Sequence, residues 1–151
     1  MGGVCNQMAK PQPWQLAREN YPFSHLTETR FADLDLLGHI NNVSMAGLFE
    51  HGRGMFNHSI DVQRRAPGQR WLIVSVEINY LAESFFPDPV DIASGIGRVG
   101  GSSWDIASAA FQKGNCVATC ATTIVLTDDN GASPIPEGLR AEFERLRVKS
   151  A

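Results

Sequence analysis

Between Trp71 and Asp128 the chain carries four long runs: Trp71 to Leu81, Val90 to Val99, Ser103 to Lys113 and Cys116 to Asp128. Each is rich in Val, Ile, Thr and aromatic residues, which fit a pleated surface. The breaks between them, Pro87-Asp88-Pro89, Gly100-Gly101-Ser102 and Gly114-Asn115, are turn formers. The last two are short enough for hairpins, so this half of the chain predicts an antiparallel meander. Upstream, one segment has a helical period. Met45, Leu48, Phe49, Gly52, Met55 and Phe56 make an apolar stripe in a helix predicted over 43–57. A shorter strand is predicted over Phe23 to Phe31, a polar turn over 129–136 and a last amphipathic helix over Glu137 to Val148. One helix cannot cover both faces of a five-stranded sheet, but a twisted antiparallel sheet can curl round it. The expected class is α+β, with an antiparallel five-stranded sheet wrapped around a long central helix. Its open edges favour pairing with another copy.

The 151 residues suit one domain. Residues 1–20, with Pro11, Pro13 and polar residues, read as an arm with a short helical turn at Trp14 to Arg18; residues 21–151 read as the domain. The predicted helix holds three glycines, Gly47, Gly52 and Gly54. Each costs about 1 kcal/mol against alanine in a helix. Close approach by a sheet, a partner chain or a ligand would explain them.

The formal net charge of −3, with scattered basic residues, gives no electrostatic footprint for nucleic acid. Cys5, Cys116 and Cys120 form no CxxC and an odd set, which fits a reducing compartment better than a disulfide framework. Cys116 and Cys120, four apart in a strand, are expected on one face as small buried hydrophobes. The start, MGGVCN, lacks a secretory pattern, and Asn6 stands where a myristoylation motif needs Ser or Thr. No apolar run approaches a membrane span. A cytoplasmic protein is expected, with no membrane partner.

The chemistry concentrates in RFADLDLLGHINN, Arg30 to Asn42. As a calcium loop it fails, because Leu37 and Ser44 stand at positions five and twelve where ligands belong. Zinc or iron would need more ligands than one histidine and its neighbouring acids, so no metal site is expected. No GxSxG elbow supports a serine triad. As a plain capped turn, Gly38 permits a positive φ and Asn41 or Asn42 caps the following helix. That reading leaves Asp33 and Asp35 unexplained. A catalytic reading uses their place at a helix N-terminus, where unpaired amides and the dipole favour developing negative charge. A carbonyl held there is polarised, and a neighbouring carboxylate can attack it or activate water. An acid and an amide suffice for an activated ester.

The run Asp33-Leu34-Asp35-Leu36-Leu37-Gly38-His39-Ile40-Asn41-Asn42 resembles the DxDxxGHxNN signature of hot-dog-fold thioesterases, of the 4-hydroxybenzoyl-CoA and acyl-CoA thioesterase type. Val74 to Tyr80, Asp88-Pro89-Val90, Gly101-Ser102-Ser103 and Pro134-Ile135-Pro136-Glu137 resemble further family segments, so the likeness covers roughly residues 22 to 145. It implies a sheet round a central helix, a homodimer or homotetramer, and hydrolysis of an acyl-CoA or acyl-carrier thioester without a cofactor. By position it makes Asp35 the catalytic carboxylate and the amide of Asn42 the group that polarises the carbonyl. Asp33, Gly38, His39 and Asn41 would shape the turn around the substrate. Glu50 matches a position that is often acidic and faces the active-site region. Arg98, Ser102 and Ser103 are the candidates for CoA's phosphates, with Lys113 and Arg64-Arg65 behind them. Many relatives carry an aromatic where Met45 or Ala46 stands, and an alanine-arginine pair where Gly52-Arg53 stands; these departures bear on the acyl pocket.

Two other functions remain open from the sequence. His39 with an acid would suit dehydratase or hydratase chemistry, whereas as a turn residue it would hydrogen-bond backbone. A non-catalytic acyl-CoA binder would need neither.

Overall fold

The computed structural model describes residues 10–60 and 65–150. The MGGVCN start, Cys5 and Arg64 lie outside the described residues. Strand β1 (Phe23–Thr27) leads to a 3-10 turn at Phe31–Asp33 and then to helix α1 (Asn42–Ser59). Strands β2 (Arg70–Tyr80), β3 (Val90–Val99), β4 (Ser103–Gln112) and β5 (Asn115–Asp128) follow. A two-residue β6 (Gly131–Ala132) and helix α2 (Glu137–Arg145) complete the chain. The result is α+β, a curled antiparallel sheet around one long helix, as expected.

The strand order is β1-β3-β4-β5-β2. Only β3, β4 and β5 form the predicted meander. Strand β2 does not pair with β3 but runs to the far edge beside β5. The break after it, 81–89, is too long for a hairpin and lets the chain cross. The first strand is also shorter than predicted. It pairs with β3 only from Val90 to Ser94, and Pro87 and Pro89 cannot extend that ladder. Thr29 instead donates its hydroxyl to the Asp88 carbonyl. Gly131–Ala132, expected as plain turn, pairs with Thr127 and Asp128.

Two bulges change which side chains face the helix. Between β4 and β5 the register jumps from Ala110↔Ala118 to Phe111↔Cys116, so Val117 is extra. Val117 and Ala118 both join the cluster that holds Met45, Phe49 and Cys120. Cys116 is left on the opposite face, beside Tyr21 and Phe111. The two cysteines therefore do not share a face as their spacing predicts, because a bulge shifts the period of two. Burial raises the pKa of both thiols, which keeps them protonated. Between β2 and β5 the register shifts between Ile73 and Ser75.

Helix α1 buries Met45, Leu48, Phe49, Gly52, Arg53 and Phe56. Arg53 takes a core place and donates to the Thr122 hydroxyl at 3.2 Å; Met55 is only partly covered. Gly52 is explained by close approach. A Cβ there would lie 2.4 Å from Cγ2 of Ile92. Gly47 and Gly54 have nothing within 4 Å of that position. At the other end, Phe56 packs with Trp104, Leu139 and Phe143, so α2 closes the core there. The arm is not loose from Pro13 onward. Pro13–Leu16 and Arg18–Asn20 are 3-10 turns. Trp14 and Tyr21 cover Ala93, Ala109 and Phe111 on the face of the sheet opposite α1, together with Val148.

Gly52→Ala is expected to cost about 1–3 kcal/mol through overpacking against Ile92. Gly47→Ala, in open space, is expected to raise stability by up to about 1 kcal/mol. Urea denaturation of the two variants checks the contrast.

Candidate active site

The segment from Arg30 to Asn42 folds as a turn that carries its own hydrogen bonds. Leu34 and Ile40 form an isolated antiparallel bridge. The Asp35 amide donates to the His39 carbonyl at 2.9 Å, and the Gly38 amide to the Asp35 carbonyl at 3.1 Å. Gly38 has φ +82°, the left-handed conformation that favours glycine. The Asp35 carboxylate takes part through one oxygen: Oδ1 accepts from the amides of Leu37 (2.8 Å) and His39 (3.2 Å). Oδ2 has no hydrogen bond among the described residues. Asp35 thus shapes the turn with one oxygen and leaves the other unbonded among the described residues.

Asn41 is the N-cap of α1. Its Oδ1 accepts from the Val43 amide at 2.7 Å, and its own amide donates to the Asp33 carbonyl. Asn42 is the first helical residue. Its amide has no acceptor among the described residues, as is usual for the first amides of a helix.

Asp35 and Asn42 line one cavity of about 300 Å³, with His39, Ile40, Met45, Tyr80, Leu81, Ala82, Glu83, Ser84 and Val117. Met45, Ile40 and Val117 supply an apolar floor from the core. The 81–84 segment forms a wall, held by the Ile40 amide on the Ser84 carbonyl at 2.8 Å. The imidazole of His39 does not bond backbone among the described residues. Its Nε2 is 3.3 Å from the Glu83 carboxylate, and its ring meets Phe85 edge-on. Tyr80 donates its hydroxyl to the Asn42 carbonyl at 3.0 Å. Burial, with Cys120 nearby, pushes the Tyr80 phenol up, so it stays a donor at neutral pH.

The other predicted residues are not gathered here. Asp33 is buried and faces the opposite flank of α1, in a cleft with Arg30, Ser44 and His51. Arg30 holds it by its backbone amide (2.9 Å) and guanidinium (2.8 Å). Glu50 is exposed two turns along α1 and does not line the cavity. Arg98, Ser102 and Ser103 belong to the β3–β4 hairpin, at the opposite end of β3 from Val90, which packs with Ile40 and Met45. Nine residues of strand put them roughly 30 Å away within one chain. Arg98 is also committed to Asp105 and Ser103 at 3.1 to 3.2 Å. Lys113 pairs with Asp88 at 3.2 Å, and Arg65 lines a shallow cleft with Gly54 and Trp71. The sequence reading gave no role to Tyr80 or Glu83. Their signal was hidden because the β2 bulge decides where Tyr80 points, and Glu83 sits in an irregular link.

The sheet curled round one helix thus brings a carboxylate and a free helix amide to one cavity. The chain belongs to the thioesterase-like superfamily, whose family model matches residues 29–143. A Pseudomonas aeruginosa protein of known structure is similar at 26% identity, with 90% of this chain and 98% of that one covered and a TM-score of 0.75. A Thermus thermophilus thioesterase solved with coenzyme A and zinc is similar at 25% identity, with 85% and 96% covered and a TM-score of 0.74. A Jannaschia structure described as thioesterase superfamily is similar at 26% identity, with 88% and 83% covered and a TM-score of 0.72. No curated protein matches the chain.

The Asp33–Arg30 pair gives a test of what holds the turn. Burial alone would raise the Asp33 pKa, but hydrogen bonds from the Arg30 side chain and backbone, its charge and Ser44 bring it below the ordinary 3.8. A lowered folded pKa means the stabilisation is present above about 3.8 and is lost as pH falls through the folded value. Asp33→Asn is expected to cost about 1–3 kcal/mol at pH 7. The gap to the parent protein should shrink as denaturation is repeated at decreasing pH below 4.

Proposed function

We propose that the protein hydrolyses an acyl-CoA thioester to the free acid and the CoA thiol, without a metal or other cofactor. The observation that carries this reading is a single cavity lined by Asp35, whose Oδ2 is unbonded, and by Asn42, whose amide is the first of α1. The thioester carbonyl oxygen accepts from the Asn42 amide, where the helix N-terminus favours negative charge. Asp35 takes a proton from water as the hydroxide oxygen bonds to the carbonyl carbon. The tetrahedral oxyanion then collapses and breaks the carbon–sulfur bond, and the thiolate leaves and is protonated. The other route has Asp35 attack directly, giving a mixed anhydride that water then opens. After single turnover in ¹⁸O-water with excess enzyme, label in Asp35 establishes the second route, through water opening the anhydride at the Asp35 carbonyl; opening at the acyl carbon puts the label in the product acid, as the first route does. The structure of a similar thioesterase with coenzyme A supports CoA as the carrier. Family membership supports thioester hydrolysis in general.

We further propose a cytoplasmic homodimer built on β2, with a tetramer as the alternative. Leu72, Ile73, Val74, Val76 and Tyr80 are all about half exposed along this edge strand. A long apolar edge of this kind is a template for pairing. Antiparallel pairing of two β2 strands about a two-fold axis would swing the far end of the partner, which carries the hairpin of Arg98, toward each cavity. That is the arrangement in which Arg98, Ser102, Ser103 and Glu50 could reach a CoA substrate.

The His39–Glu83 pair in the same cavity is the one observation that favours dehydratase or hydratase chemistry. The decisive experiment is thiol release from a panel of acyl-CoA thioesters. Asp35→Asn should lose activity by at least about a hundredfold while circular dichroism and oligomeric state stay unchanged. A near-normal rate would overturn the reading. Loss in His39→Ala with retention in Asp35→Ala would favour the hydratase instead, and binding without thiol release would favour a sensor. Val76→Lys, which puts a charge on the exposed apolar face of β2, should convert the dimer to monomer by light scattering.

A further inference from the structure

The cavity's least expected member is Tyr80, at the end of the edge strand. Its orientation depends on the β2 bulge. Upstream of it, Trp71 and Ile73 pair with Leu126 and Ile124, which are buried in the core facing α1. With a strict period of two, the strand would next turn Ser75, Glu77 and Asn79 inward. Instead the register shift leaves Val74 extra. Val76, Ile78 and Tyr80 then pair with Thr122, Cys120 and Ala118, all buried. The bulge therefore carries the Tyr80 ring over to the helix side of the sheet, a known use of bulges near sites.

There the hydroxyl donates to the carbonyl of Asn42. That carbonyl shares its peptide group with the Val43 nitrogen, whose N–H donates to Asn41 Oδ1. Tyr80 and Asn41 thus grip the two ends of one peptide group, immediately after the Asn42 amide. Without them this first turn would be held only by its outgoing helical bonds, and helix ends fray.

We infer that Tyr80 is a positioning residue: by holding the Asn42 carbonyl, it fixes the first turn of α1 so that the Asn42 N–H stays directed into the cavity. This rests on the thioesterase reading for its kinetic consequence, though not for its geometry. Tyr80 touches the helix backbone rather than the reacting atoms. Losing it should therefore weaken transition-state stabilisation more than substrate binding. Its place on β2 also ties the site to the strand expected to carry the second copy.

The test is Tyr80→Phe, which removes one oxygen and keeps the ring. The expected result is a roughly ten- to hundredfold fall in kcat, the scale of a small misplacement, with KM within about twofold and an unchanged melting temperature. In ¹⁵N-labelled protein the Val43 nitrogen resonance should shift, because its peptide carbonyl loses an acceptor bond. Hydrogen exchange at Val43, whose N–H is bonded to Asn41 Oδ1, should quicken. Tyr80→Leu, which also removes the ring, serves as the control for packing. An unchanged kcat in Tyr80→Phe overturns the inference, as does a loss of activity that tracks a fall in melting temperature with the Val43 resonance unmoved. If Asp35→Asn remains active, the thioesterase reading fails, and the Val43 resonance and exchange rate still decide whether the hydroxyl orients the peptide. If Asp35→Asn is dead and Tyr80→Phe is normal, only the present inference fails.

Discussion

The fold rests on how closely α1 can lie on the sheet, and Gly52 sets that distance. With no Cβ, the helix backbone comes down onto Ile92. Met45, Leu48 and Phe49 on one side and Phe56 on the other then reach the same wall of strands. A sheet that curls round a helix has little room to adjust, since interiors are close-packed. The helix N-terminus is therefore delivered to a fixed place beside β5 and the end of β2. The turn before it carries Asp35 to the same place. The site is thus a consequence of packing at its far side as much as of the polar residues within it.

Within the turn, the atoms of one polar residue are not used alike. Asp35 Oδ1 closes the turn and Oδ2 is left over. Asn41 caps the helix with its side chain, and the neighbouring backbone amide of Asn42 is unpaired among the described residues. Asp33, by contrast, is held by Arg30 from both backbone and side chain. The two acids of the DxD pair sit two residues apart and face opposite flanks of the helix.

Much of this was legible in the residues. Helical period exposed α1, β-branched runs exposed four strands, and Gly38 and Asn41 behaved as turn and cap. Two of the failures share one cause. Bulges at Val74 and Val117 add a residue to a strand without any compositional mark, so alternation misplaced Cys116 and could not orient Tyr80. The path of β2 to the far edge was also unreadable, because pairing partners are chosen by tertiary packing and not by strand propensity. The residues expected to hold CoA's phosphates illustrate a further limit. Arg98, Ser102 and Ser103 do sit together, but at the wrong end of the sheet for a single chain.

The back of the sheet has a practical meaning. Both ends of the described chain are fastened there: the Lys149 amide donates to the Asn20 carbonyl, and Pro22 and Val148 both lie over Gly95. Their anchor strand, β3, is the one whose other face receives Gly52. Mechanical load entering through residues 20–22 and 148–149 would therefore reach β3 before it reached the helix.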